Sequence, residues 1–111
     1  MKFQLMKRCL LYYIFCISVL YSDVVYRVPI EGTIDLGLPP FIQRTLEDAE
    51  SNEATAVIFD INTFGGRVDA ATQIKDAILG ANIPTIAFIN RRAISAGALI
   101  SLSCEKIYMT G

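Results

Sequence analysis

Residues 54–90 read ATAVIFDINTFGGRVDAATQIKDAILGANIPTIAFIN, and the spacing of their apolar residues decides the fold. Residues 54–62 form a continuous apolar run with one acid, Asp60. Such a run fits a strand buried on both faces of a parallel sheet. TFGGR follows as a turn signal. Then the period changes. Val68, Ala71, Ile74, Ile78 and Ala81 share one face of a helix, which Gly80 and Asn82 bring to an end. Residues 83–90, IPTIAFIN, are the next buried strand.

The pattern extends outward in both directions. Upstream, VVYRVPIEGTID (24–35) is rich in β-branched and aromatic residues and reads as a strand or strand pair, with Pro29 indicating an edge or a break. Gly37 and the Pro39-Pro40 pair punctuate. From Pro40 to about Asn52, Ile42, Leu46 and Ala49 have helical spacing, and Glu47, Asp48 and Glu50 fill the other face. Downstream, a short loop, RRAI, leads to Ser95. SAGALISLS has the small residues of a tightly packed helix, and EKIYMT (105–110) is a further strand. The order β, α, β, α, β, α, β implies an α/β fold of repeated β-α units with a mainly parallel sheet. The part after the leading segment is small for this architecture, so the fold is expected to be incomplete at the C-terminus.

The leading segment differs from the rest. Lys2, Lys7 and Arg8 precede an apolar run, CLLYYIFCISVLY, from Cys9 to Tyr21. Its 13 residues are fewer than the roughly 20 of a spanning helix, and a basic leader before an apolar core fits a secretory signal. Residues 1–22 are therefore expected to be a signal peptide, removed after Ser22, or an uncleaved membrane anchor. Either places residues 23–111 outside the cytoplasm. Cys104 alone would remain after cleavage, a small buried hydrophobe rather than half of an internal disulfide. A net charge of −1 and basic runs no longer than pairs leave nothing to hold nucleic acid. No metal cluster or P-loop ending is apparent, and no cofactor is expected.

In an open α/β sheet, ligands bind beyond the carboxyl ends of the strands. Two stretches lie there: Asn62 to Gly66, and Arg91 to Ala96. Each passes directly into a helix, so unpaired backbone N–H groups would aim at one region. That suits a developing negative oxygen. Gly65 and Gly66 let a substrate approach their amides, and the Ala96 N–H would sit beside the Ser95 hydroxyl. Two readings of Ser95 stand at this point: a nucleophile, or a helix-capping serine. The glycine pair likewise reads as a donor or as a plain turn. The chain has no histidine, which excludes a Ser-His-Asp triad within it. The G-x-S-x-G elbow is also absent, because Ala93 precedes Ser95 by two. Arg91 and Arg92 border the region and read as solvated loop residues; Asp69 favours the dipole of the helix it opens.

DINTFGGRVDAATQIKDAI and IPTIAFINRRAISAGALISLSCEKIYM together resemble the ClpP-like serine protease domain of the NfeD family, in the ClpP/crotonase superfamily. The resemblance rests on the N-T-x-G-G stretch, the R-x-D-A helix start and the S-A-G serine, and covers about Val24 to Gly111. It implies a membrane-associated endopeptidase with a Ser-Lys dyad. Ser95 matches the nucleophile, Gly65 and Gly66 the turn that gives one oxyanion N–H, and Ala96 the other donor. The lysine base of the family lies past Gly111, so the chain as it stands is expected to be inactive. The resemblance also implies substrates with apolar segments, a link to stomatin-like membrane proteins, homo-oligomers, and a position on the periplasmic or cell-surface side. Two rivals are a crotonase-type acyl-CoA enzyme, which uses the two N–H groups without a serine nucleophile, and a catalytically inactive interaction module.

Overall fold

Strand and helix alternate along the whole chain after its first helix. The structure, a computed structural model, describes residues 2–19 and 23–111. Helix α1 (Lys2–Val19) is followed by β1 (Val25–Ile34), α2 (Leu38–Ser51), β2 (Ala56–Gly66), α3 (Val68–Leu79), β3 (Thr85–Ala93), α4 (Ala96–Ser103) and β4 (Lys106–Met109). The end of the apolar run, and the expected cleavage after Ser22, lie outside the described residues. Among the described residues no helix is long and apolar enough to cross a membrane.

The four strands form one sheet in the order β1-β2-β3-β4, and every neighbouring pair is parallel. A helix joins each pair, as parallel neighbours require. Alternation along the strands decides which side chains meet the helices. Val28 and Ile30 of β1, Val57, Phe59 and Ile61 of β2, and Ala87 of β3 pack with Ile42, Leu46, Ile74 and Ile100 of the helices. Burial of such side chains stabilises a fold by roughly 1.5–3 kcal/mol each.

The sheet departs from the expectation of burial on both faces. Ile58, Asp60, Ile86, Phe88 and Tyr108, with Arg27, line an open groove of about 470 Å³. Asp60 is nevertheless buried, because the guanidinium of Arg27 on the neighbouring strand closes over one carboxylate oxygen. The other oxygen, Oδ1, is buried without a partner among the described residues.

Three boundaries also move. Of the two readings of residues 24–35, a single strand holds, running from Val25 to Ile34, and β1 is an edge, where Pro29 lacks only a bond that an edge can spare. α2 starts at Leu38 rather than at Pro40, so the whole Pro39-Pro40 pair lies in its first turn, where a missing N–H costs no helical bond. Val68 is 69% exposed, while α3 buries Ala70, Ala71, Ile74 and Ile78. At 100° per residue, position 68 falls beside that stripe rather than within it.

The change that matters most for function concerns the two segments expected to be loops. β2 does not turn at TFGG but continues through Gly66, and β3 continues through Ala93. Both ladders shift register at the same level, between Glu31 and Thr33 on β1 and between Ile61 and Thr63 on β2. Only Ile94 and Ser95 separate β3 from α4.

Candidate active site

Ser95 enters α4 with φ 55° and ψ −114°, a backbone state that side chains other than glycine rarely adopt. Such a residue carries a strain of about 1–3 kcal/mol and persists only where its surroundings over-determine it. Those surroundings are present. The Ile94 N–H donates to the Thr63 carbonyl at 3.1 Å, the Gly97 N–H to the Ile94 carbonyl at 3.0 Å, and the Ala98 N–H to the Ser95 carbonyl at 2.9 Å. Ser95 occupies the N-cap position, yet its hydroxyl makes no capping hydrogen bond. The side chain is exposed instead. Of the two readings of this serine, capping is not what its side chain does.

Ala96 follows as the first helical residue and is buried. Its N–H finds no backbone carbonyl among the described residues, the condition of any first-turn amide without a cap.

Gly65 stands against this turn. Its φ is +110°, and a β-carbon there would lie 3.0 Å from the Ile94 carbonyl oxygen, 3.0 Å from Ser95 Cβ and 3.3 Å from the Ala96 nitrogen. Gly66 faces the other way, and a β-carbon on it would overlap the backbone of Ile34 on β1. The glycine pair is therefore not a turn. It is a stretch of strand squeezed between β1 and the serine, and each glycine is required by a different neighbour. The structure brings Gly65, Ser95 and Ala96 into one contact, with Gly66 one residue along the strand.

Two neighbours escaped the reading of the sequence. Thr63 is buried to 1% exposure between the two segments; its hydroxyl donates to the Gly32 carbonyl and accepts the Gly65 N–H at 3.0 Å. A β-branched hydroxyl residue two positions before a glycine pair is the available signal. Phe64 is 70% exposed, and the Arg92 guanidinium lies 4.4 Å from its ring centroid. Arg92 is thus a half-buried strand residue stacked on an aromatic face, not a solvated loop residue.

The charges near the start of α3 are structural. Arg67 grips Asp69 through two hydrogen bonds of 3.0 and 2.8 Å, and Asp69 also accepts the Ala70 N–H. The Arg67 hydrogen bond holds the Asp69 carboxyl below the usual range, and the Asp69 bond raises Arg67. Lys75 is ion-paired with Asp76 at 3.0 Å, and Lys106 is exposed at the start of β4. Among the described residues no lysine is bonded to Ser95. Cys104 is buried at the end of α4, and burial pushes its thiol up to about 11.

A model of the family described as NfeD1b, N-terminal domain, matches residues 24–111. Membrane protein NfeD1b of Bacillus subtilis is 43% identical over 88 residues, covering 79% of this chain and 20% of that protein. Membrane-bound protease PH1510 of Pyrococcus horikoshii is 33% identical over 94 residues, covering 82% of this chain and 21% of that protein. The chain thus spans about a fifth of the length of these relatives. Among solved structures, the 1510-N membrane protease from Pyrococcus horikoshii, described as specific for a stomatin homolog, superposes with a TM-score of 0.73 at 33% identity, covering 80% of this chain and 46% of that one. A lysine-to-alanine mutant of that stomatin-specific protease, in complex with a substrate peptide, gives 0.73 at 32% identity, covering 81% and 42%. A ClpP1 mutant from Listeria monocytogenes gives 0.68 at 29% identity, covering 71% and 46%. The fold is that of the ClpP-like proteases.

Proposed function

The chain belongs to the NfeD1b N-terminal domain family, and from that premise we propose that residues 23–111 are the nucleophile-bearing part of a ClpP-like serine endopeptidase acting at a membrane. Ser95 is its nucleophile. The observation that carries this reading is the strained, uncapped, exposed Ser95 held against Gly65 and Ala96.

The chemistry follows from the groups present. Ser95 Oγ adds to a peptide carbonyl, and the carbonyl oxygen becomes an oxyanion. The Ala96 N–H is one donor to it. Gly65 has already committed its N–H to Thr63 Oγ1. Successive strand N–H groups point to opposite sides, and the Arg67 N–H points to Ile34 on β1. The Gly66 N–H therefore aims away from β1 and is the second donor. Each such donor contributes roughly 3–4 kcal/mol to stabilising the transition state. The proton leaves Ser95 for a neutral lysine, whose pKa desolvation lowers. In longer members of the family that lysine follows the segment seen here. Support comes from the stomatin-specific protease, of which a serine-to-alanine and a lysine-to-alanine mutant have both been solved.

Residues 1–22 act as a signal peptide or membrane anchor and place the domain on the extracytoplasmic side. The substrate is a protein with apolar segments, the partner a stomatin-like membrane protein, and the working form a homo-oligomer. Membrane-bound relatives support the setting, and the stomatin-specific neighbour supports the partner. The test is cleavage of a peptide with an apolar segment by the full-length protein. Ser95→Ala abolishes turnover and leaves the fold intact; turnover that survives the substitution refutes the reading. An inactive interaction module would instead show partner binding without turnover in either form.

A further inference from the structure

We propose that Thr63 is a positioning residue of the site: its hydroxyl fixes the glycine strand so that Gly66, and not Gly65, offers its N–H to the reaction. The proposal rests on the reading of Ser95 given above and deepens it.

Thr63 makes contact with every backbone piece of the site. Its carbonyl accepts the Ile94 N–H, one residue before the nucleophile. Its hydroxyl donates its single proton to the Gly32 carbonyl on β1, at the register shift. The same oxygen accepts the Gly65 N–H at 3.0 Å. Its methyl, Cγ2, fills the space above Gly97, where an added β-carbon would come to 2.5 Å. β1, the glycine strand and the start of α4 are thus indexed to one side chain, and the serine turn to the main-chain carbonyl of the same residue, which is 1% exposed.

The hydroxyl does something that burial alone does not need. A valine has nearly the same shape and is likewise favoured in strands. A buried threonine hydroxyl in a strand has to find partners, and this one takes both from neighbouring backbone at the point where the ladder breaks. The bond to Gly65 holds the amide of the first residue that pairs with β1 again after the register shift. It also holds Gly65 at φ +110°, the orientation that turns the next amide toward Ser95. Without it, the Gly65 N–H loses its side-chain acceptor and the strand is freer to rotate about Gly65 and Gly66, the two residues with the widest backbone freedom.

The hydroxyl therefore acts on turnover more than on substrate capture, because the oxyanion exists only in the transition state. The experiment compares wild type, Thr63→Val, Thr63→Ser and Ser95→Ala in the full-length protein. It measures steady-state peptide cleavage and, separately, the exchange of the Gly65 amide proton by NMR. Thr63→Val is expected to lower kcat by about tenfold or more while KM stays within about twofold. Thr63→Ser keeps the hydroxyl and is expected to hold kcat within about threefold of wild type. Gly65 exchange is expected to accelerate by about tenfold or more in Thr63→Val and not in Thr63→Ser. A Thr63→Val kcat within about twofold of wild type overturns the proposal. So does a Thr63→Ser variant as impaired as Thr63→Val, since methyl packing would then explain the effect. The exchange measurement needs no turnover. Wild type no more active than Ser95→Ala would sink the protease reading alone, and unchanged Gly65 exchange in Thr63→Val would sink the Thr63 contact alone.

Discussion

Gly65 lies so close to Ser95 that a β-carbon on the glycine would stand 3.0 Å from that of the serine. The strand carrying the glycine pair and the turn carrying the serine are distant in sequence and in direct contact in space. Parallel pairing of β2 with β3 produces this contact, because both strands run on past the point where their ladder shifts register.

Gly65→Ala should therefore disturb fold and site together. The new methyl meets the Ile94 carbonyl and Ser95 Cβ, both part of a held turn, at a φ that alanine disfavours. The expected loss is about 1–3 kcal/mol in a denaturant titration, with cleavage activity reduced further than stability explains. A neutral effect on both would show that the contact is not tight in solution.

Ser95→Gly is predicted to separate stability from function. Glycine adopts φ 55° without strain. The variant should unfold at higher denaturant by about 1 kcal/mol, less the added freedom of the unfolded chain, and should not cleave. Ser95→Ala retains the strain and should stay within about 0.5 kcal/mol of wild type. A destabilised Ser95→Gly would argue that the serine is not strained.

Gly97→Ala places a methyl against Thr63 Cγ2. Overpacking of this kind costs about 1–3 kcal/mol. Pairing it with Thr63→Ser removes the colliding methyl, so the double variant should recover part of the loss. Strict additivity of the two changes would contradict the packing described here.

The Cys104 thiol predicts a reagent and a pH effect. Burial raises it to about 11, so the neutral thiol is the folded form and is a poor nucleophile. Iodoacetamide should spare Cys104 until the chain unfolds. The linkage has one sign: the raised folded value stabilises the fold fully below the unfolded thiol range near 9, and that contribution is lost as pH rises toward 11. Cys104→Ala should remove this alkaline loss, measured as a denaturation midpoint at pH 7 and pH 10.

Much of this arrangement is legible in the sequence. Ala71, Ile74 and Ile78 recur at helical spacing, and the apolar runs on either side leave no other element order. The small residues after Ser95 show where a helix can approach a strand closely. The backbone state of Ser95 is not legible. A serine before a helix carries the same letters whether it caps or is strained, and only the strand held against it by Thr63 decides. The absent G-x-S-x-G pattern misleads for a related reason: Ala93 stands where the elbow motif has glycine, yet the turn still forms because Ile94 is tied to Thr63. The glycine pair reads as a turn because glycine is commonest in turns. Here it answers to two close approaches, one from β1 and one from the serine turn, which are long-range facts.

The central claim is that Ser95 is an activated nucleophile, and active-site labelling tests it most directly. The full-length protein is treated with a fluorophosphonate, and the modified residue is located by peptide mass mapping. One adduct on Ser95, absent from Ser95→Ala and from protein unfolded before treatment, is the predicted result. No adduct on Ser95, or equal labelling of folded and unfolded protein, would contradict it.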